Sequence, residues 1–326
     1  MFEAANLLYL YVETPLHAGS GRGLGAVDLP VQRERVTGYP LVQASGVKGK
    51  LRAEAYARVD ENNEAGRAQL KAVFGPESGE GASEHAGAIS PGDARLLLFP
   101  VRSLAGVFAW TTSVNVLARF VRDASIIGLT VPWTPPEAPN VGQALLTPEN
   151  DLTAGDKVVL EEFAFTPQPR DEVRAIAEWL AENALPAGPE YDYWRDKLPR
   201  RLVILPENDF RDFTMFATEV ATRVRLDSKT KTVEPGALWT EESLPTDTLL
   251  YASLQATRAR WYDRDTGEPS TAVPAEWFAR GGAREILEFI ADLNIDRMQL
   301  GGDETVGHGM VCLRYGEVRN VYAADD

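Results

Sequence analysis

The spacing of apolar positions changes along the chain, and each change marks an element. Leu7 to Glu13 (LLYLYVE) is rich in Leu, Tyr and Val and predicts a strand, which stops at Thr14-Pro15 because proline cannot donate to a ladder. From Ser45 the period becomes helical. Val47, Leu51, Ala55 and Val59 fall four apart on one face, predicting a helix to about Val59 with Ser45 as its N-cap. Gly75 to Gly92, rich in Gly and Glu, reads as a mobile loop.

Ala94 to Val101 and Val107 to Thr111 predict strands, after which Ser113 caps a helix carrying Val114, Leu117, Phe120 and Val121. Pro132 to Pro139 is a breaker. Further on, Val158 to Phe165 predicts one strand, Asp171 to Glu182 a helix, Leu202 to Leu205 a short strand and Asn208 to Thr218 a helix. Arg223 to Leu226 and Thr232 to Trp239 flank a polar turn, Asp227-Ser228-Lys229-Thr230, the pattern of a projecting hairpin. A strand at Leu249 to Leu254, a polar insertion from Trp261 to Trp277, a helix at Glu285 to Leu293 and strands at Arg297 to Leu300 and Met310 to Tyr315 complete the chain.

This order suggests an α+β sandwich with helices on one face of a mainly antiparallel sheet, and a ferredoxin-like core fits it best. No repeat of solenoid period and no low-complexity linker divides the chain, so a single domain over 1–326 is expected. Its core would comprise 1–60, 94–205 and 249–326, with the hairpin at about 220–245 and a flexible insertion at about 75–92.

Composition narrows the function classes. The 326 residues are 44% hydrophobic, ample for a packed core. No apolar run approaches the roughly 20 residues that cross a bilayer, and the start lacks a basic flank or a signal-type cleavage site, so a cytoplasmic protein without membrane association is expected. The single cysteine, Cys312, excludes a disulfide framework or a thiolate zinc site within one chain. His17, His85 and His308 lack helical ligand spacing, which argues against a His-rich metal centre and leaves carboxylate-held magnesium open.

The net charge of −15 speaks against nucleic acid until its distribution is considered. Between His17 and Arg58, seven basic residues stand against three acidic ones, giving +4, so the rest carries −19. A basic segment on an acidic body suits a strand held in a restricted groove, or simply an acidic surface kept for solubility.

Gly19, Gly21, Gly23 and Gly25 permit close backbone approach and read equally as a phosphate cradle or a surface loop. Lys48, Lys50 and Arg52 occupy the first two turns of the predicted helix, where the dipole already favours anions; unless an anion binds there, stacked cations are locally unfavourable. Asp28, between apolar neighbours and beside this cluster, is costly near phosphates. Either it orients or deprotonates a nucleophile or holds a divalent ion, or it pairs with Arg33 or caps a turn. His17 is a proton carrier or a satisfied histidine at a strand end.

TPLHAG, the Gly-rich loop, VDLPVQRE, GYP and the SGVKGKLR helix start together resemble the RAMP superfamily, and within it the backbone subunits of type III-B CRISPR (Cmr) complexes. The C-terminal LGGDETVGHG, Leu300 to Gly309, is similar to that superfamily's glycine-rich loop, and TVEPGALWTEESLP, Thr232 to Pro245, to a segment near the thumb hairpin. Asp303 and Glu304 make the terminal loop a poor phosphate cradle by itself.

The resemblance implies an RNA-recognition-motif-like palm, a β-hairpin thumb and a head-to-tail filament along the CRISPR RNA, with endoribonuclease cleavage of guide-paired, single-stranded target RNA at regular intervals. It implies catalytic roles for Asp28, His17 and Glu241 (or Glu242), RNA binding by Ser45, Lys48, Lys50, Arg52, Arg33 and Arg35, and a divalent cation, Mg or Mn, at Asp28. The implied partners are CRISPR RNA, target RNA, copies of the chain and other Cmr subunits. Two positions depart from the family pattern: His308 stands where arginine is common, and Ser243 where an aromatic is common. A non-catalytic RAMP subunit, including the type III-A relative, shares most of these features. A nucleotide-binding metabolic enzyme ranks last, because neither GxxxxGK[ST] nor a strand-borne GxGxxG occurs.

Overall fold

The apolar run that opens the chain forms the strand Ala4–Val12, and every one of its side chains is buried. In the computed structural model, which describes residues 2–23, 25–76 and 85–321, this strand is central. It pairs antiparallel with Leu249–Ala256 on one side and Met310–Tyr315 on the other, so Tyr9 lies opposite Tyr251 and Leu10 opposite Leu313. A strand covered on both faces needs apolar residues at successive positions, which is why its sequence does not alternate.

The sheet continues from Leu249–Ala256 to Ala94–Ser103 and Val107–Ser113, both antiparallel, and then turns mixed. Val107–Ser113 pairs in parallel with Leu202–Leu205, and Gln143–Leu146 in parallel with Phe163–Pro169. Lys157–Leu160 pairs with Phe163–Pro169 and touches Ala94–Ser103 again at Ser103 and Leu160, bending this half of the sheet into a closed ring. The fold is therefore a mixed α/β structure whose sheet is mainly antiparallel, as expected, with parallel pairing at these two places. Among the described residues it carries seven α-helices around one apolar core.

Two expected boundaries are corrected. Val158 to Phe165 is not one strand but two, because Glu161, in left-handed backbone at φ 48°, turns the chain between them. The stretch from Gly75 to Gly92 lies outside the described residues at 77–84, but its end is ordered: Ile89–Pro91 pairs with Leu249–Ala256. The helix Ala44–Arg58 buries Val47, Leu51 and Ala55 as predicted, each of the larger residues contributing about 1.5–3 kcal/mol by leaving water. Its N-cap is Gln43, not Ser45, which lies in the first turn. Ser113 caps Val114–Ile126 as expected, accepting from the amide of Val116.

The hairpin Glu219–Leu226 and Val233–Ser243 stands apart as a separate two-stranded sheet. Its turn is closed by Asp227, whose Oδ1 accepts from the amides of Lys229 and Thr230 at 2.9 and 2.7 Å. Such a ribbon is marginal alone, and it is held at its base. There the main chain of Leu29 pairs with Glu241, and that of Leu16 with Leu244.

Candidate functional site

Three segments far apart in sequence meet at the hairpin base: the Gly-rich loop after the first strand, the start of helix Ala44–Arg58, and the C-terminal glycine loop. They enclose an open groove of about 580 Å³ lined by His17, Gly19, Gln32, Ser45, Lys50 and Gly301, among others. The glycines of the terminal loop have a steric purpose here. Gly301 has φ +75°, and a Cβ on it would lie 2.1 Å from the carbonyl oxygen of His17, while the Gly302 amide donates to that oxygen at 2.9 Å. The loop is clamped onto the backbone beside His17.

His17 donates from Nδ1 to the Glu242 carbonyl oxygen at 2.6 Å; a carbonyl only accepts, so in the neutral ring Nε2 carries the lone pair. A Cβ on Gly19 would come within 2.6 Å of that Nε2, so the glycine leaves the nitrogen room. Asp28 is exposed and is tied to the hairpin by one carboxylate oxygen: Oδ2 accepts from the Thr240 amide at 2.8 Å and from its hydroxyl at 2.9 Å. The same hydroxyl accepts from the Asp28 amide at 3.0 Å. These bonds, the Thr240 amide first, and more weakly the charge of Arg22 hold the Asp28 carboxyl below its usual range. Its other oxygen has no partner among the described residues. The alternative pairing with Arg33 does not occur.

Arg33 instead lies in the scaffold. Its guanidinium reaches Glu242 Oε1 at 2.5 Å and donates to the carbonyls of Gly38 and Thr214, both at 2.9 Å. Arg35 is exposed and makes no hydrogen bond or ion pair among the described residues. The cations of the helix start divide between two sides. Lys50 lines the groove, 3.7 Å from Glu54 and 3.9 Å from Glu304. Lys48 donates to the Ile89 carbonyl at 2.9 Å, and burial, with Arg260 and Arg52 nearby, pushes its pKa down. Arg52 donates to the Pro76 carbonyl and lies over the Tyr56 ring. Ser45 is exposed in the groove wall, and its hydroxyl makes no hydrogen bond among the described residues.

Glu241 is buried, and burial together with the Asp303 carboxyl raises its pKa. Asp303 is held low by the adjoining Glu241 and then by Arg223 and His308. Sequence spacing gave no sign that Arg223, Glu241, Asp303 and His308 meet, since hairpin and terminal loop are joined only by folding. Thr240, the partner of Asp28, was likewise unmarked. Among the described residues Asp28 belongs to no group of three or more such donors, whereas Glu241, Asp303 and His308 form one.

Comparison with known proteins places this arrangement. The chain is 39% identical to the CRISPR system Cmr endoribonuclease Cmr4 of Pyrococcus furiosus over 324 residues, 97% of each chain. It superposes on the crystal structure of oligomeric Cmr4 from the same organism with a TM-score of 0.67 at 28% identity, covering 98% of this chain and 100% of that one. The fold also matches a chain in the cryo-EM structure of the type III-B Cmr-beta complex bound to cognate target RNA, with a TM-score of 0.66 at 21% identity, covering 96% and 98%. No described helix is long and apolar enough to cross a membrane. The RAMP superfamily model matches residues 9–312, and the chain belongs to that superfamily.

Proposed function

We propose that this chain is the backbone subunit of a type III-B CRISPR effector, assembling with copies of itself and other Cmr subunits along CRISPR RNA and cleaving guide-paired target RNA. The observation that carries this reading is the convergence of Asp28, His17 and the Lys50 groove at the base of a projecting hairpin, in a chain 39% identical to a Cmr endoribonuclease. The relative crystallised as an oligomer supports self-association, and a contact that does not close would give the head-to-tail filament and the regular cutting interval. Pairing with the guide, and not side chains, would read sequence.

In this reading the core segments 1–60, 94–205 and 249–326 are a ferredoxin-like palm and 220–245 is its thumb, within a cytoplasmic complex. The thumb unstacks a nucleotide and turns its 2′-hydroxyl in line with the next phosphate. Asp28, through its free oxygen, accepts or orients the hydroxyl proton. The 2′ oxygen then bonds to phosphorus, the bond to the 5′ oxygen breaks, and His17 as imidazolium returns a proton to that oxygen. The products are a 2′,3′-cyclic phosphate and a 5′-hydroxyl end. A divalent cation, Mg or Mn, would neutralise charge building on the phosphate, with Asp28 or the Glu241 cluster as its protein ligands. In this reading Ser45 and Lys50, in the groove wall, and the exposed Arg35 take guide phosphates, and Glu241 assists His17; Lys48, Arg52 and Arg33, engaged with the Ile89 and Pro76 carbonyls and with Glu242, contribute by holding the scaffold.

The test is target cleavage by the reconstituted complex carrying Asp28→Ala. Retained target binding with cleavage lost supports the reading. Undiminished cleavage would mean a non-catalytic binding subunit.

A further inference from the structure

Glu241, from the hairpin base, and Asp303 and His308, from the two ends of the terminal loop's turn, bring their donor atoms within 4.8 Å of one another. Glu241 is only 4% exposed, and its Oε1 is buried with no hydrogen-bond partner. The nearest cation is Arg223. Its Nη2 lies 3.8 Å from Glu241 Oε1, 3.4 Å from Asp303 Oδ2 and 3.4 Å from His308 Nδ1. The guanidinium therefore hovers among three donors without satisfying the buried one, and its own Nε is also buried without a partner. Leaving a buried polar atom unpaired costs about 1–3 kcal/mol, more for a charged group, so both sides of this contact are under-satisfied.

A small, doubly charged ion would satisfy all three donors at once. We propose that Glu241, Asp303 and His308 are the protein ligands of a divalent transition-metal ion, which on binding displaces the Arg223 guanidinium. With metal–ligand bonds of about 2.1 Å, donors stand about 3.0 Å apart when adjacent and about 4.2 Å apart when opposite, so the three atoms, now within 4.8 Å of one another, would draw together by up to about 2 Å on binding. Two carboxylates and one imidazole suit Mn²⁺ better than Mg²⁺, which prefers oxygen alone. The ion would lock the hairpin base to the glycine loop that packs against His17, where a Cβ on Gly302 would touch the ring at 3.4 Å. This deepens the cleavage reading and rests on it for the ion's use, but the binding itself needs no RNA.

The experiment is titration of metal-free full-length chain with MnCl₂, following free Mn²⁺ by electron paramagnetic resonance, with circular dichroism to verify folding of each variant. The expected result is one Mn²⁺ per chain, weakened at least tenfold by Asp303→Asn and by His308→Ala, strengthened by Arg223→Met, and poorly competed by Mg²⁺. The proposal is overturned if neither the wild-type chain nor Arg223→Met binds Mn²⁺. It is also overturned if binding survives both ligand substitutions, is lost in Asp28→Ala instead, or yields equally to Mg²⁺. Failure of the cleavage reading would show separately, as undiminished target cutting by the Asp28→Ala complex.

Discussion

Thr240 grips the Asp28 carboxylate with its main-chain amide at 2.8 Å and its hydroxyl at 2.9 Å, fastening the glycine-rich loop to the returning strand of the hairpin. One residue thus fixes both the position and the ionisation of the candidate catalytic carboxylate. Thr240→Val removes the hydroxyl and keeps the amide and the side-chain shape. Target cleavage should fall about tenfold to a hundredfold, the cost of a small misplacement of a reacting group, while guide RNA binding is unchanged. Cleavage at the wild-type rate would show that the hydroxyl does not position Asp28.

The same pair makes a pH prediction. The folded-state pKa of Asp28 is depressed, chiefly by the Thr240 amide and then by its hydroxyl. The carboxylate tie therefore contributes stability above the unfolded pKa and loses it as pH falls through the folded pKa. In a carboxyl-carbon NMR titration Asp28 should titrate below the ordinary aspartate range, and Thr240→Val should move that midpoint upward. Identical midpoints in the two proteins would refute the assignment.

Glu242 joins three pieces of chain. Its Oε1 receives Arg33 at 2.5 Å and the Thr218 hydroxyl at 2.8 Å, and its Oε2 receives the Val31 amide at 2.9 Å. The Glu242 side chain is 6% exposed and that of Arg33 20%, so solvent screens the pair only partly. Glu242→Ala leaves a guanidinium, a hydroxyl and a buried amide without this acceptor, and should cost about 3 kcal/mol in urea unfolding. A loss below about 1 kcal/mol would mean that water replaces the carboxylate.

What could be read from the sequence was what local spacing decides. The four-residue apolar period found the buried face of Ala44–Arg58, and the polar turn at Asp227 found the hairpin. The turn at Glu161-Glu162 escaped because it uses no Gly, Pro, Asn or Asp, and left-handed backbone at a glutamate leaves no compositional trace. The helix Glu64–Phe74 was missed although Asn63 caps it, accepting from the Gly66 amide at 2.9 Å. In the site, Asp28, His17 and Lys50 were legible by type and neighbourhood. Arg33 as a scaffold cation and the meeting of Glu241 with Asp303 depend on pairing across more than sixty positions, roughly the distance at which local pattern carries no information.

The terminal glycines can be separated by their surroundings. A Cβ on Gly301 would meet the His17 carbonyl oxygen at 2.1 Å, whereas one on Gly307, with φ +81°, would meet nothing within 4 Å. Gly307→Ala should therefore cost only the left-handed backbone penalty, about 1–2 kcal/mol. Gly301→Ala adds a backbone clash, and should lower stability by at least about 1 kcal/mol more and depress target cleavage with it. Equal effects of the two substitutions on the thermal midpoint would remove the clamp on His17 as an explanation for the loop.

The helix-start lysines provide the last comparison, because the structure assigns them different surroundings. Lys50 faces the groove and is held only by Glu54 and Glu304 at 3.7 and 3.9 Å, weak contacts that a phosphate can outcompete. Lys48 spends its ammonium on the Ile89 carbonyl at 2.9 Å, half-buried beside Arg260. If Lys50 neutralises a guide phosphate, Lys50→Ala should reduce the slope of log affinity against log salt by roughly 0.7–1 in fluorescence anisotropy, with stability unchanged. Lys48→Met should leave that slope intact and alter the unfolding midpoint instead. Because burial lowers the folded-state pKa of Lys48, its charge is penalised in the fold, and that penalty is relieved as pH rises through the folded pKa towards the unfolded one. The stability difference between Lys48→Met and wild type should therefore shift in favour of wild type at alkaline pH, and a difference independent of pH would show that the lysine remains fully solvated.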